Sequence, residues 1–347
     1  MSSPRACINF SVLSAICMAK IPLKIIDSFP DPDAAKYDEN LWYSQHDDAI
    51  VILNCRSKNI YYSRHWTPLS VKCAFQGTEH YHFEKNSFCV SDGNFLILNE
   101  GSEYSSSISS DSPTNSFTIN FTVQNIKEVF SGIVHGAGDQ LDNPFKNYDG
   151  SPRFIEKLYP LNSSFPHLLE IRNIVQQKEI EQAYLIELIY LSLGEMIRLY
   201  NRTSAEIDEM KAKKRATREE LYKRLHRSKD YMDSCYQEDI SLQKLSEISL
   251  MNPFYLLREF RNLFKITPYQ YLTERRLKKA MDLLITTALP VDEIRTEVGF
   301  QDPSSFSKLF KKVHGHPPAI FRTTHVNGID RMKIHTSKNP LPQKIFQ

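Results

Sequence analysis

Cysteine is scarce and unpatterned in this sequence. Among 347 residues only Cys7, Cys17, Cys55, Cys73, Cys89 and Cys235 occur, with no C-x-x-C pair and no zinc-type spacing. Neither a disulfide framework nor a zinc knuckle is therefore there to organise the chain. Free thiols in a reducing cytoplasm are the expectation, with a redox role for Cys55, Cys73 or Cys89 as the minor reading. No run approaches the roughly 18 apolar residues needed to cross a bilayer, so no membrane partner is expected. G-x-S-x-G, P-loop and nucleotide fingerprints are missing as well, which leaves no catalytic residue and no cofactor to assign. The formal charge is only +2, and its distribution says more than its size. From Ser241 to His325 there are 13 Lys/Arg against 8 Asp/Glu, a local +5 that leaves −3 for the rest.

What the chain does hold is one statement made twice. Between Leu242 and Arg322, Leu245 is answered by Ile294, Met251 by Phe300, Phe260 by Phe310, Thr267-Pro268 by Pro317-Pro318, and Tyr271 by Phe321. A doubling of this kind marks a repeated supersecondary unit. Leu242, Leu245 and Ser249 in one copy, and Val291, Ile294 and Val298 in the other, predict a short helix with one apolar stripe. Gly299 then supplies the freedom a sharp turn needs. Asn252-Pro253 and Asp302-Pro303 open the next helices with a capping side chain and a proline at the first helical position.

Each copy thus reads as helix, turn, helix. In the second helices Leu256, Phe260 and Leu263, and likewise Phe306, Phe310 and Val313, fall on one inward side. The opposite sides carry Phe254, Arg258, Arg261 and Lys265 in the first copy, and Ser304, Lys308 and Lys311, flanked by Lys312, in the second. A lysine-rich face taken alone is usually a solvated surface. Here it recurs on the helix that enters the major groove in such motifs, and double-stranded DNA is the expected partner. From Pro268 to Thr286 a linking helix of about 28 Å is predicted at 1.5 Å per residue. It carries Arg275, Arg276, Lys278 and Lys279 and approaches the roughly 34 Å of one DNA turn, so two successive major grooves are in reach.

The segment resembles the DNA-binding domain of the AraC/XylS family of bacterial transcription regulators. The resemblance rests on Ile294-x-x-x-Val298-Gly299-Phe300, Phe306-Ser307-Lys308-Leu309-Phe310-Lys311-Lys312 and Gly315-x-x-Pro318-x-x-Phe321-Arg322. In the first copy it rests on Leu256-x-x-x-Phe260, Ile266-Thr267-Pro268-x-x-Tyr271-Leu272 and Arg276-Leu277-x-x-Ala280-x-x-Leu283-Leu284. Four residues depart from the pattern: Ser246 and Arg295 stand where the family favours alanine, and Leu250 and Lys265 where it favours glycine. Arg295 is expected to turn outward or to hold the second unit slightly apart. A leucine in a left-handed turn costs on the order of 1 kcal/mol, so the first turn is expected to differ in shape from the second.

Base contacts are assigned to Phe254, Leu257, Arg258, Ser304, Ser305 and Lys308. Arg258 and Lys308 can donate to guanine, Phe254 and Leu257 can meet a thymine methyl, and the serines can bond to base edges or phosphate. Phosphate contacts are assigned to Arg261, Lys265, Arg276, Lys311 and Lys312.

Upstream, from about Asp48 to Val123, the pattern changes to period two. Leu69, Val71, Cys73 and Phe75, then Phe117, Ile119, Phe121 and Val123, alternate with polar neighbours, and turn signals fall at Gln76-Gly77, Lys85-Asn86 and Asp92-Gly93. A small antiparallel sandwich or barrel is predicted. Asp92 to Tyr104 resembles the second motif of cupin barrels, the effector-binding domain that such regulators often carry. Metal-binding cupins place histidine where Tyr104 stands. His80, His82 and Glu84 only loosely match the first motif, so a polar exposed face is the preferred reading over a metal site.

The fold class that follows is a multidomain α+β chain. It comprises an N-terminal extension (1–20), a cupin-like β-barrel for an effector or for assembly (21–130), a loop and dimerisation helices (131–202) and a basic linker (203–216). A DNA-binding domain of two helix-turn-helix units on a linking helix (217–325) and a disordered tail (326–347) complete it. Arg5 to Ala19 imitates a signal peptide, but a DNA-binding repeat argues against export, and a start at Met18 explains the stretch more simply. The function expected is a cytoplasmic, sequence-specific transcription regulator, an activator by preference. Its partners would be a small-molecule effector, a second copy of the chain and RNA polymerase. The alternatives are a cupin-type metalloenzyme with a DNA-binding tail and a ligand-independent dimeric DNA-binding protein.

Overall fold

A computed structural model describes residues 22–33, 38–46, 48–84, 86–122, 127, 152–161, 165–178, 181–212 and 214–332. The extension over 1–20, the choice between Met1 and Met18, Cys7 and Cys17, the loop over 131–151 and the tail beyond 332 lie outside them. The chain divides into two compact units, residues 1–230 and 231–347.

The first unit is built on one eight-stranded sheet. Its strands are β1 (Leu23–Ile26), β2 (Ile50–Thr67), β3 (Leu69–Phe75), β4 (Thr78–His82), β5 (Ser87–Ser91), β6 (Asn94–Leu98), β7 (Ser102–Phe121) and β8 (Leu158–Pro160), with a short helix α1 (Glu39–Ser44) between the first two. The main path runs β1-β2-β7-β3-β6-β8, and β4 pairs with β5 and β7. All pairings are antiparallel except that of β1 with β2. The long strand β7 is the spine, pairing β2 along one edge and β3 and β4 along the other.

Alternation decides what each face of this sheet meets. Ile50, Ile52, Val71, Cys73, Phe95, Ile97, Phe117 and Ile119 share one core with Leu168 and Ile171 of α2 (Pro166–Gln177) and Leu185, Ile189 and Leu193 of α3 (Gln182–Asp208). The polar neighbours do not face solvent, since β3 is buried over its whole length, Ser70 and Lys72 included. They turn inward instead. Lys72, Glu79, Tyr81, Tyr104, Ser116 and Thr118 line a cavity of about 30 Å³. Burial raises the Glu79 carboxyl above the usual range, against hydrogen bonds from Ser116, Tyr81 and Ser106 and the charge of Lys72.

His80 and His82 stand exposed, their rings stacked at 6.2 Å, and among the described residues no group of three or more His, Cys, Asp or Glu could hold a metal ion. Burial also pushes the Cys55 thiol up to about 12 and Cys73 higher still. Thiolate is the reactive form, so both are poorly suited to redox sensing.

Two boundaries differ from the sequence reading. α3 does not stop at 202 but runs to Asp208, through the first part of the expected basic linker. The next helix, α4 (Arg215–Ser234), begins there because Arg215 and Arg218 both grip Asp208, at 3.0 Å each, and close the turn. α3 is apolar on several sides, and Leu185, Leu188, Ile189, Tyr190, Leu193, Met196 and Ile197 are buried within this unit, whereas Tyr184 is 41% exposed.

Most of α4 belongs to the first unit through a buried polar cluster. Lys157 Nζ donates to Tyr222 Oη (2.6 Å) and lies 3.4 Å from His226 Nε2; the Tyr222 hydroxyl donates to Glu206 (2.6 Å), and Asp230 accepts from the Leu158 N–H (3.0 Å). These bonds explain why the units part at Asp230 rather than in the linker.

The second unit contains the end of α4, then α5 (Leu242–Ser249), α6 (Pro253–Phe264), α7 (Pro268–Thr286), α8 (Val291–Glu297), α9 (Pro303–His314) and α10 (Pro318–Met332). α10 continues seven residues past His325, into the stretch expected to be disordered. Leu277, Ala280 and Leu284 of α7 share a core with Ile294, Val298, Phe300, Phe306, Phe310 and Phe321. Leu245, Leu256, Phe260 and Leu272 are buried in the first copy.

A contact at the second turn ties the two copies together. Gly299 has φ +86°, and a Cβ there would lie 2.6 Å from the carbonyl oxygen of Gln237, in the loop that leads into the first copy. Arg276 of α7 fixes that loop by donating to the carbonyls of Tyr236 (2.6 Å) and Glu238 (2.7 Å), while its guanidinium sits 5.8 Å from the Phe300 ring. Tyr236 packs on the core of the second copy.

Two stability predictions follow from these packings. Gly299→Ala combines a left-handed backbone with a clash and is expected to cost on the order of 2 kcal/mol or more. Gly315→Ala has a similar φ of +82° but nothing within 4 Å of the added Cβ, and is expected to cost only about 1 kcal/mol. Equal shifts in urea midpoint would refute the Gln237 contact. Burial between Lys157 and Lys229 holds His226 well below the ordinary value of 6.5. The unfolded chain therefore takes up a proton that the native state refuses, so this part of the stability is whole above pH 6.5 and is lost as the pH falls below it. His226→Gln should flatten the decline of unfolding free energy between pH 6.5 and 5 relative to the parent, the removed slope being at most about 1.4 kcal/mol per pH unit.

Candidate nucleic-acid interface

The second unit positions α6 and α9 by the same devices twice. Asn252 accepts from the N–H groups of Phe254 (3.0 Å) and Tyr255 (3.4 Å), and Asp302 from that of Ser305 (2.7 Å), so each helix starts on a side-chain cap followed by proline. Each ends on a left-handed residue, Lys265 at φ +65° and Gly315 at +82°.

The turns that precede these helices share one geometry, contrary to the expectation that the first would differ. Leu250 is left-handed at φ +53°, as Gly299 is at +86°. Met251 N–H bonds back to the carbonyl of Ser246 (3.0 Å), and Phe300 N–H to that of Arg295 (3.0 Å), the longer-range bond of a Schellman closure. The Leu250 side chain stays 61% exposed.

The residues that replace alanine close the turns from the other side. The Ser246 hydroxyl donates to the Met251 carbonyl. Arg295 does not swing freely into solvent. Its Nη1 donates to the carbonyls of Phe300 and Gln301 (2.9 Å to the latter), and its Nε pairs with Asp292 at 2.7 Å. A short hydroxyl in one copy and a long guanidinium in the other thus reach the carbonyl of the equivalent turn residue.

On the outward faces, Phe254 is 80% exposed and Leu257 37%. Arg258, Arg261 and Lys265 are exposed on the same helix, and Ser304, Ser305, Lys308, Lys311 and Lys312 on α9. Arg258 is braced: its Nε bonds to Glu259 (2.9 Å) and its guanidinium lies 5.0 Å from the Tyr255 ring centroid. The brace uses Nε, so the terminal nitrogens are the ones a base edge would meet. Ser305 bonds back to Asp302 through its hydroxyl as well as its N–H, which together hold that carboxyl below its usual range. Lys265 Nζ donates to the Asn262 carbonyl (2.8 Å) across its own helix end. Arg261, Lys311 and Lys312 sit in last turns, where positive charge also offsets the helix dipole.

Arg276 requires a correction. Expected at a phosphate, its guanidinium is committed to the carbonyls of Tyr236 and Glu238, and neighbouring Arg275 faces Asp233 at 3.6 Å. The sequence reading also missed Arg322, which donates to the carbonyls of Leu284 (3.4 Å) and Leu289 (2.5 Å) and so fixes the loop leading into the second copy as Arg276 fixes the first. A basic residue on a linking helix gives no sign of which side it will take, because its long stem serves either.

Residues 245–324 match a family described as a helix-turn-helix domain. The uncharacterized HTH-type transcriptional regulator YdiP of Escherichia coli is 31% identical over 112 residues, covering 32% of this chain and 37% of that protein, so the chain spans well under half of that relative's length. The uncharacterized HTH-type transcriptional regulator YisR of Bacillus subtilis is 25% identical over 250 residues, 71% of this chain and 83% of that protein. Among solved structures, the C-terminal domain of AraT, a response regulator from Geobacillus stearothermophilus, is 32% identical and covers 30% of this chain and 87% of that one, with a TM-score of 0.29. Residues 245–324 of this chain are accordingly a helix-turn-helix domain.

Proposed function

We propose that this protein is a sequence-specific DNA-binding transcription regulator, an activator by preference, whose α6 and α9 enter two successive major grooves of one duplex. The observation that carries this reading is the pair of outward cationic faces, each on the second helix of a helix-turn-helix, with the second copy packed on the linking helix and the loop into the first copy packed on Gly299. Arg258 and Lys308 would read bases, with Phe254, Leu257, Ser304 and Ser305 beside them. Arg261, Lys265, Lys311 and Lys312 would bind phosphates and set the register.

The sheet unit is the place for an effector and for contact with a second copy of the chain, and RNA polymerase is the partner an activator would need. The cavity lined by Lys72 and Glu79 measures about 30 Å³, far below the roughly 300–1,000 Å³ of ordinary ligand pockets, whereas an open groove of about 680 Å³ bordered by Asp27, Asn54, Arg56 and Gln176 lies within that range. A metabolite that raised the melting temperature of the full chain would support an effector, and no shift with any candidate would favour the ligand-independent alternative.

Selection of duplexes from a random-sequence pool tests the DNA reading directly, and recovery of no preferred sequence would overturn it. On a selected fragment, Arg258→Ala is expected to lose about 1 to 3 kcal/mol at one base position while leaving the others unchanged. A uniform loss would make it a backbone contact. Replacing Lys312 by Gln should lower the slope of log affinity against log salt by about one. An unchanged slope would remove it from the phosphate set.

A further inference from the structure

The two recognition helices are alike in charge and opposite in the chemistry of their tips. Pro253 of α6 and Pro303 of α9 occupy the same first helical position. Counting on from them, Phe254, Tyr255 and Leu257 correspond to Ser304, Ser305 and Ser307. Two large apolar side chains and a tyrosine ring therefore stand where the other copy has three serines. These larger groups are not hidden: Phe254 is 80% exposed, Tyr255 40% and Leu257 37%. Leu250, on the turn just before them, is 61% exposed in a left-handed conformation that glycine would hold without strain. Exposed apolar groups clustered on a structured surface mark a binding site. Cations surround this one, Arg258, Arg261 and Lys265 on its own helix, so the complementary surface is anionic and carries methyl groups between its charges. The major groove of DNA is such a surface wherever thymines expose their C5 methyls.

Resting on the DNA reading above, we infer that the protein recognises a bipartite operator. Its first unit selects thymine methyls through Phe254, Leu257 and the rim of Tyr255, and its second unit selects hydrogen-bonding base edges through Ser304, Ser307 and Lys308. Tyr255 has a second task, since its ring supports the Arg258 guanidinium at 5.0 Å. Leu250 extends the apolar edge towards the turn.

The test uses the full-length protein and a duplex selected from a random pool. Each thymine is replaced in turn by deoxyuridine, which removes the methyl and leaves every base-pairing and groove hydrogen-bonding group in place. Substitution is expected to weaken binding about fourfold per contacted methyl, the burial value of one carbon, at thymines confined to one half-site. Phe254→Ser should remove that discrimination at the thymine Phe254 contacts while leaving the thermal melt unchanged, because the side chain is exposed. The converse change, Ser304→Phe, should create thymine-over-deoxyuridine preference in the other half-site. Indifference to deoxyuridine at every position, equal sensitivity in both half-sites, or discrimination left unchanged at every thymine by Phe254→Ser would each overturn the inference while leaving the DNA reading intact. Failure to select any sequence would instead overturn the DNA reading itself.

Discussion

The approach of Gln237 to Gly299 is the constraint on which the geometry of the helical unit depends. A recognition helix is useful only if its tip is aimed to within a fraction of a helical turn, and two of them must be aimed together. The 19-residue α7 sets their separation, but a rod alone leaves rotation about its axis free. Rotation is removed where the loop leading into the first copy lies so close to the second turn that no Cβ fits between them. Arg276 and Tyr236 hold the loop in that position, one through backbone carbonyls and the other through the core. The two helix-turn-helix copies are thereby held in register, and in the proposed complex a duplex that fits one copy would have to present its next groove at the angle the other demands.

Within that body the same turn is solved twice with different side chains. Alanine would leave the carbonyls of Met251 and Phe300 to water, whereas Ser246 and Arg295 satisfy them from within the protein. The net value of one such bond is about 1 kcal/mol, comparable to the cost of putting Leu250 in a left-handed conformation. This balance accounts for a turn that keeps its shape without the glycine its counterpart has. Arg295 does the same work from a long stem, and because it also pairs with Asp292 it ties the start of α8 to the turn at its end.

How much of this was legible in the sequence depends on the range of the signal. Caps, prolines and apolar stripes act within a few residues, and they placed α7 at Pro268–Thr286 and both recognition helices on their prolines. Period-two alternation located the strands of the sheet unit but could not say which face was outside. The polar face of β3 turned out to be buried with Lys72 and Glu79. Long-range partners were out of reach: Arg276 and Arg322 read as surface cations because the carbonyls they bind are 38 to 40 residues away from Arg276 and 33 to 38 from Arg322. The left-handed leucine was visible as an anomaly, and its resolution depended on Ser246, a residue whose hydroxyl looks incidental until the turn is closed.

Charge and rigidity divide the work of the proposed interface. A local excess of five positive charges between Ser241 and His325 is small for a DNA-binding surface, and each phosphate neutralised contributes a salt-dependent, sequence-blind increment. Several of those cations are not available for the purpose: Arg276 and Arg322 hold loops, Arg295 closes a turn and Arg275 faces Asp233. Of the remaining exposed cations, Lys244 lies on α5 and Lys278 on α7, and the others lie along the recognition helices, with Arg261, Lys311 and Lys312 in their last turns, past the tips where bases would be met. Sequence-blind attraction is therefore limited by the architecture itself. Discrimination must come from the first turns of α6 and α9, and those are the segments whose aim the capping residues, the closed turns and the Gly299 contact hold in place.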